Sequence, residues 1–179
     1  MPEQKLKGKK VLMAIAPTGF RDEELQQPKQ VLEAEGAEVK VASTTMAECT
    51  GMLGARVKPD LEISRASADD YDAVVVVGGV GSPDHLWGNK DLHEILQKAA
   101  TANKVVGAIC LSGAVLARAG VIQGKEATVY RTRESLQEFE KAGARYVAKD
   151  VVVSGNVVTA EGPAAATDFG RALARKLSH

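Results

Sequence analysis

Apolar residues in this chain fall into short unbroken runs, separated by stretches in which polar and apolar positions recur at helical spacing. Val11-Leu12-Met13-Ala14-Ile15-Ala16, entered from Lys10, is one such run. A run that is apolar throughout predicts a strand buried on both faces. Glu38-Val39-Lys40-Val41-Ala42-Ser43 alternates and predicts a second strand. Ala73-Val74-Val75-Val76-Val77 is the strongest strand signal and enters Gly78-Gly79. Val105-Val106-Gly107-Ala108-Ile109 follows and ends in Cys110. Helical patterns lie between the runs: about Asp22 to Gly36, Asn89 to about Asn103, Ala114 to Gly120, Thr132 to Ala142, and Pro163 to Leu177. Pro28, inside the first of these, predicts a bend or a break. Ala127-Thr128-Val129-Tyr130 is strand-like. Ser154-Gly155-Asn156 between two valine-rich segments predicts a hairpin. Thr44 to Asp70 is the least regular part, with β-like pieces around Ala55-Arg56-Val57 and Leu61-Glu62-Ile63.

Buried strands alternating with helices predict an α/β fold, with a mostly parallel central sheet and helices on both faces. In such sheets sites form beyond the carboxyl ends of the strands. Three of these ends carry suggestive residues: the loop after Ala16, the Gly78-Gly79 turn, and Cys110.

Composition narrows the classes. The chain has 179 residues, is 45% hydrophobic and 26% charged, and has a formal net charge of zero. This fits one domain over 10–179, preceded by a basic tail over 1–9 whose lysines read as a solvated, frayed start. Neutral charge points to no nucleic-acid partner and no anionic membrane surface. No apolar run approaches the roughly 20 residues a membrane helix needs, and no secretory signal is legible. Cys49 and Cys110 sit in unlike contexts, which argues against a disulfide framework and for a reducing cytoplasm. His85, His93 and His179 lack metal-ligand spacing with the cysteines, so no metal is expected. No G-x-G-x-x-G follows the first strand, so no dinucleotide cofactor is expected either.

The chemistry concentrates at Cys110. A strand ends in it, a helix pattern follows at once, and small residues flank it at Ala108 and Ser112. That is the layout of a nucleophile elbow with sulfur as nucleophile. Helix amides beyond the turn favour a thiolate, so the thiol pKa is expected below its ordinary value of about 8.5. The plain alternative is a buried cysteine packed like a small hydrophobe. Asp22, Glu23 and Glu24 open the first helix. Most acids there simply favour the helix dipole, the reading preferred for Asp22 and Glu23, and spacing does not choose which of the three turns inward. Amides at Gly78 and Gly79, with that of Leu111, could form an oxyanion hole; a plain tight turn is the competing reading. Asp84, His85 and Tyr130 lie near strand ends as accessory candidates, Tyr130 reading more simply as a packed core residue. His93 reads as surface, and Cys49 carries no expected role.

These segments together resemble the ThiJ/PfpI superfamily of intracellular proteases, glyoxalases and the Parkinson-disease redox protein, which shares the class I glutamine amidotransferase-like fold. The resemblance runs from about Val11 to Leu177. It rests on Ala108-Ile109-Cys110 with Ala119-Gly120-Val121-Ile122-Gln123-Gly124-Lys125, and on Phe20-Arg21-Asp22-Glu23-Glu24-Leu25 with Pro28 beyond. Gly78-Gly79, Pro83-Asp84 and Gly162-Pro163 also match. It implies a flavodoxin-like three-layer sandwich, a homodimer, with a higher oligomer left open, and Glu24 as the acid reaching Cys110. It also implies that the Gly79 and Leu111 amides face the sulfur.

One departure bears on activity. Leu111 stands where family proteases carry a histidine, so the Cys–His dyad is absent there. Asp84 matches the acid that supports that histidine, and here it lacks its partner. Tyr130 replaces a histidine of the Parkinson-related branch. The expectation is a cytoplasmic stress-response protein that acts on small reactive 2-oxoaldehydes without cofactor, with Cys110 as nucleophile and Glu24 as proton shuttle. The alternatives are a non-enzymatic redox sensor or chaperone acting through oxidation of Cys110, and a cysteine peptidase, which Leu111 disfavours.

Overall fold

The computed structural model describes residues 4–179. Seven strands form the central sheet: β1 (Lys10–Ala14), β2 (Glu38–Ser43), β3 (Leu61–Glu62), β4 (Ala73–Val76), β5 (Val105–Ile109), β6 (Val151–Ser154) and β7 (Val157–Ala160). Their spatial order is β6-β7-β5-β4-β1-β2-β3. Every neighbouring pair is parallel except the hairpin β6–β7, where Gly155 takes the left-handed conformation. The apolar runs of β4 and β5 therefore occupy the centre of the sheet, where both faces are covered, whereas the valine-rich β6 is an edge strand with Val153 exposed.

Alternate side chains of each strand enter two separate cores. Leu12, Ala14, Val74, Val76, Val106 and Ala108 pack under helices α2 (Lys90–Thr101), α3 (Gly113–Ala119) and α4 (Arg133–Ala142). Val11, Met13, Ala73, Val75, Val105 and Ile109 face α1 (Asp22–Ala34) and α5 (Ala166–Leu177). Side-chain and glycine caps fix the helix ends. The Asn89 side chain accepts from Leu92 N–H, Thr132 and Ser135 form a capping box, and Gly143 closes α4 in the left-handed conformation. Among the described residues no helix is long and apolar enough to cross a membrane.

Some expectations change. Pro28 neither breaks nor ends α1, which runs unbroken through it; a proline removes one amide donor, and here tertiary packing outweighs that loss. The packing is visible at Gly170 of α5, where a side-chain carbon would stand 2.8 Å from the Pro28 Cα. Residues 4–9 are not a frayed start. Leu6 is fully buried and its N–H donates to the Glu35 carbonyl. The strand expected over 127–130 shrinks to Glu126–Ala127, paired with Arg145–Tyr146. The irregular region includes a small sheet of Thr18–Phe20, Cys49–Gly51 and Arg56–Val57.

The α1–α5 crossing tolerates only hydrogen at Gly170. Gly170→Val is expected to destabilise the fold by about 1–3 kcal/mol through overpacking. Urea denaturation would measure this, and an unchanged midpoint would show that the crossing is not tight.

Candidate active site

The carboxyl ends of β1, β4 and β5 converge on Cys110. The chain leaves β5 and turns sharply: Cys110 has φ +62°, a left-handed value uncommon for a residue with a side chain. A single 3₁₀ turn over Cys110–Ser112 leads into α3. The turn is fastened on several sides. The Cys110 carbonyl accepts from Tyr130 N–H at 3.0 Å. The buried Ser112 hydroxyl donates to the Val77 carbonyl at 2.6 Å, which leaves Ser82, 2.7 Å away, as donor to Ser112. The Trp87 indole N–H donates to the Leu111 carbonyl at 2.9 Å. Trp87 in turn lies under the Arg118 guanidinium, 5.4 Å from its ring centroid, and Arg118 is paired with Glu138 at 2.9 Å.

The three acids of the first helical turn take three different roles. Asp22 is buried and accepts from the Leu53 and Ala55 amides at 3.0 and 2.9 Å, so it holds the turn that carries Met52. Glu23 forms a bidentate pair with Arg21, both contacts 3.0 Å. The dipole reading is therefore too plain for these two. Glu24 is the one turned inward, with no exposed surface. Neither of its carboxyl oxygens makes a hydrogen bond of ordinary geometry. The carboxyl abuts the Cys110 thiol and the Gly78 amide, contacts too poorly aligned to count as hydrogen bonds yet electrostatically favourable to the anion.

Gly78 makes this approach possible. A side-chain carbon there would stand 2.6 Å from both Glu24 Oε1 and the Cys110 Cβ, and 2.5 Å from the Ile109 carbonyl oxygen. Gly79, at φ +113°, turns the chain so that its amide faces the sulfur, as does the amide of Leu111.

A cleft of about 210 Å³ opens over the cysteine, lined by Arg21, Met52, Gly79, Val80, Cys110, Leu111, Tyr130 and Pro163. Cys110 is 7% exposed at its floor, whereas Tyr130 is 47% exposed at its rim, not a packed core tyrosine. The exposed Asp84 and half-buried His85 lie on a short helix, Ser82–His85, and do not line the cleft. His93 is half-buried, its Nε2 2.7 Å from the Trp87 carbonyl oxygen, so it belongs to the support behind the elbow. Cys49 is buried away from the cleft. Sequence reasoning missed Arg21 and Met52. Arg21 gave a signal only as a charge beside the inward acid, and Met52 gave none.

The electrostatics differ from the sequence expectation. Burial pushes the Glu24 carboxyl up to about 8, the thiol contact and the Arg21 charge pulling it partly back. Burial, then the charge of an ionised Glu24, push the Cys110 thiol up to about 12, against the downward pull of the Leu111 and Gly79 amides. The expected depression of the thiol pKa is therefore reversed, because two amides do not offset burial beside a second acid. The two groups titrate as a coupled pair, burial raising both and ionisation of Glu24 opposing that of the thiol. At neutral pH the pair holds both protons in most molecules, and a protonated carboxyl beside sulfur can donate to a thiolate.

A match to the DJ-1/PfpI family covers residues 9–176. An uncharacterized protein of Methanocaldococcus jannaschii is 51% identical over 167 residues, covering 93% of this chain and 82% of that one. A protein of Pyrococcus furiosus named deglycase PfpI is 34% identical over 152 residues, covering 85% and 90%. The crystal structure of a ThiJ/PfpI domain protein from Brachyspira murdochii superposes with a TM-score of 0.89 at 30% identity, covering 96% and 97%.

The buried carboxyl makes stability depend on pH. Between about pH 4.5 and 8 the folded chain keeps a proton on Glu24 that the unfolded chain has released, so stability falls as pH rises through that interval. Glu24→Gln is expected to match wild type near the acid end and to exceed it by roughly a few kcal/mol by about pH 9. Urea denaturation at several pH values measures the gap; parallel curves for the two proteins would show that Glu24 is not held protonated.

Proposed function

Since the chain belongs to the DJ-1/PfpI family, we propose that it is a cofactor-independent enzyme acting on small reactive 2-oxoaldehydes, with Cys110 as nucleophile and Glu24 as proton shuttle. The observation that carries this reading is the Glu24 carboxyl: fully buried, without an ordinary hydrogen bond, and set against the thiol. A structural carboxylate would be paired. An acid with its pKa raised to about 8 is instead matched to proton transfer near neutral pH.

The steps follow from that pair. The Glu24 carboxylate, the minority form near neutral pH, takes the Cys110 thiol proton; the sulfur adds to the aldehyde carbon C1, and the resulting alkoxide takes that proton back from Glu24. The Gly79 and Leu111 amides favour the negative charge as it passes through the site. The Glu24 carboxylate removes the hydrogen from C1, and a proton reaches the C2 oxygen to give an enediol. A proton then returns to C2 as the C1 hydroxyl loses its own. C1 is thereby oxidised to a thioester and C2 reduced to an alcohol, with no external electron carrier. Water cleaves the thioester, releasing a 2-hydroxy acid and the thiol. The deglycase name of the Pyrococcus furiosus relative is consistent with aldehyde chemistry of this kind. Two free cysteines fit a reducing, cytoplasmic setting.

A redox-sensor reading is favoured by one observation: the same two amides face the sulfur and would receive the charge of a sulfinate, to which a protonated Glu24 would donate. Peptide cleavage is disfavoured, because a departing amine must be protonated and Leu111 supplies no imidazole.

Methylglyoxal or glyoxal is expected to be converted to its acid, and Cys110→Ser to abolish the conversion. Casein and peptide amides are expected to remain uncleaved. The assay must measure product acid, since a thiol also traps aldehyde reversibly. Aldehyde loss without acid, together with stable sulfinate after mild peroxide, would replace the enzyme reading with the sensor. Peptidase activity lost in Cys110→Ser would reverse the order of the readings and implicate a histidine, His85, brought to the cleft by a second copy of the chain.

The family reading also carries a homodimer. The exposed apolar side chains Met52, Leu53 and Val80 beside the cleft support an association surface there. Light scattering at micromolar concentration is expected to give twice the chain mass, and a monomer would count against any site completed by a second subunit.

A further inference from the structure

The cleft over Cys110 is mostly apolar in its walls: Met52, Val80, Leu111 and Pro163, with the Tyr130 ring at the rim. Arg21 is the one permanently charged side chain among its lining residues. Its side chain stays partly exposed at the mouth of the cleft, where an entering molecule would meet it.

The arginine is fixed rather than trailing. Its backbone N–H donates to the Gly78 carbonyl at 3.0 Å, which ties it to the strand end that also carries the Gly79 amide. Its Nε and Nη2 each donate to Glu23 at 3.0 Å. A guanidinium has five N–H donors. Two are engaged, and among the described residues the other three have no partner. Glu23 does not line the cleft, and Arg21 does. The pair therefore anchors the guanidinium by one edge while its remaining donors are left for an occupant. Its charge also reaches the Glu24 carboxyl, so it stands within electrostatic range of the reacting groups.

We propose that Arg21 is a specificity-determining residue that forms an anion subsite beside Cys110, so that the cleft selects small aldehydes bearing a carboxylate. The subsite rests on the reading of Cys110 as a nucleophile for aldehydes. A planar guanidinium matches a carboxylate better than a lysine would, because it can offer two parallel N–H donors. The cleft volume of about 210 Å³ admits only a short molecule, so the carboxylate lies within a few bonds of the carbon that meets the sulfur.

The experiment compares alkylation of Cys110 by iodoacetate and by iodoacetamide, followed by peptide mass. In each case the sulfur–carbon bond forms and iodide leaves; the reagents differ chiefly in charge. Both react through the same thiolate, so their rate ratio cancels any change in thiol ionisation. The urea-unfolded chain supplies the reference ratio for Cys110. In the folded protein the iodoacetate-to-iodoacetamide ratio is expected to exceed that reference about tenfold, the scale of one charge-assisted hydrogen bond. Arg21→Gln is expected to return it to the reference, and Arg21→Lys to keep part of the preference. Glu23→Gln, which frees the guanidinium, is expected to raise the ratio and provides a second arm if Arg21→Gln fails to fold. A folded ratio at or below the reference, or one unchanged in Arg21→Gln, overturns the proposal. Turnover is not part of the readout: an inactive protein with the Arg21-dependent ratio would refute the enzyme reading alone, and an active one without it would refute the subsite alone.

Discussion

The left-handed backbone of Cys110 is the constraint on which the rest of the site depends. A residue with a side chain at φ +62° costs on the order of 1–3 kcal/mol and persists only where its surroundings hold it. Here they do: Tyr130 N–H on the Cys110 carbonyl, Ser112 on Val77, and Trp87 on the Leu111 carbonyl. Each contact comes from a different element, so the elbow is determined by the assembled sheet and helices. The conformation lifts the sulfur to the floor of the cleft and turns the Leu111 amide toward it.

Gly78 then decides what the sulfur meets. With only hydrogen at its Cα, the end of β4 lets the first turn of α1 slide close enough for Glu24 to reach the thiol. The consequence is a carboxyl excluded from water with no ordinary partner, a local arrangement that folding alone would not favour. Proteins accept such frustration where chemistry needs it. The same packing distributes the neighbouring acids, Asp22 to the Leu53 and Ala55 amides and Glu23 to Arg21, so that Glu24 alone is left for the cysteine.

The cleft and its support differ in character. Behind the elbow the Trp87 indole N–H donates to the Leu111 carbonyl, His93 Nε2 meets the Trp87 carbonyl, and the part-exposed Arg118 pairs through Nε with Glu138. In front lies an apolar rim with one guanidinium. The Cys110 turn is thus held from behind and open to the cleft in front.

Much of the fold was legible in the residues. Unbroken valine-rich runs can be satisfied only between two helical layers, which settles a parallel sheet. Asn89, Thr132, Gly143 and Ser154-Gly155-Asn156 mark their boundaries through local backbone chemistry. Small residues on either side of Cys110 announce an elbow because bulk there would block the turn. What sequence left open was decided by contacts between distant segments. Which of Asp22, Glu23 and Glu24 turns inward depends on where the 51–55 turn and Gly78 lie. The continuity of α1 through Pro28 depends on α5, and the burial of Leu6 on the same layer. Tyr130 faces the cleft because its N–H follows the Cys110 carbonyl while its ring remains outside. The direction of the thiol pKa was misjudged for the same reason. Helix amides beside a cysteine can be read from the chain, but burial and a second acid pressed against the sulfur exist only once β1, β4 and β5 have come together.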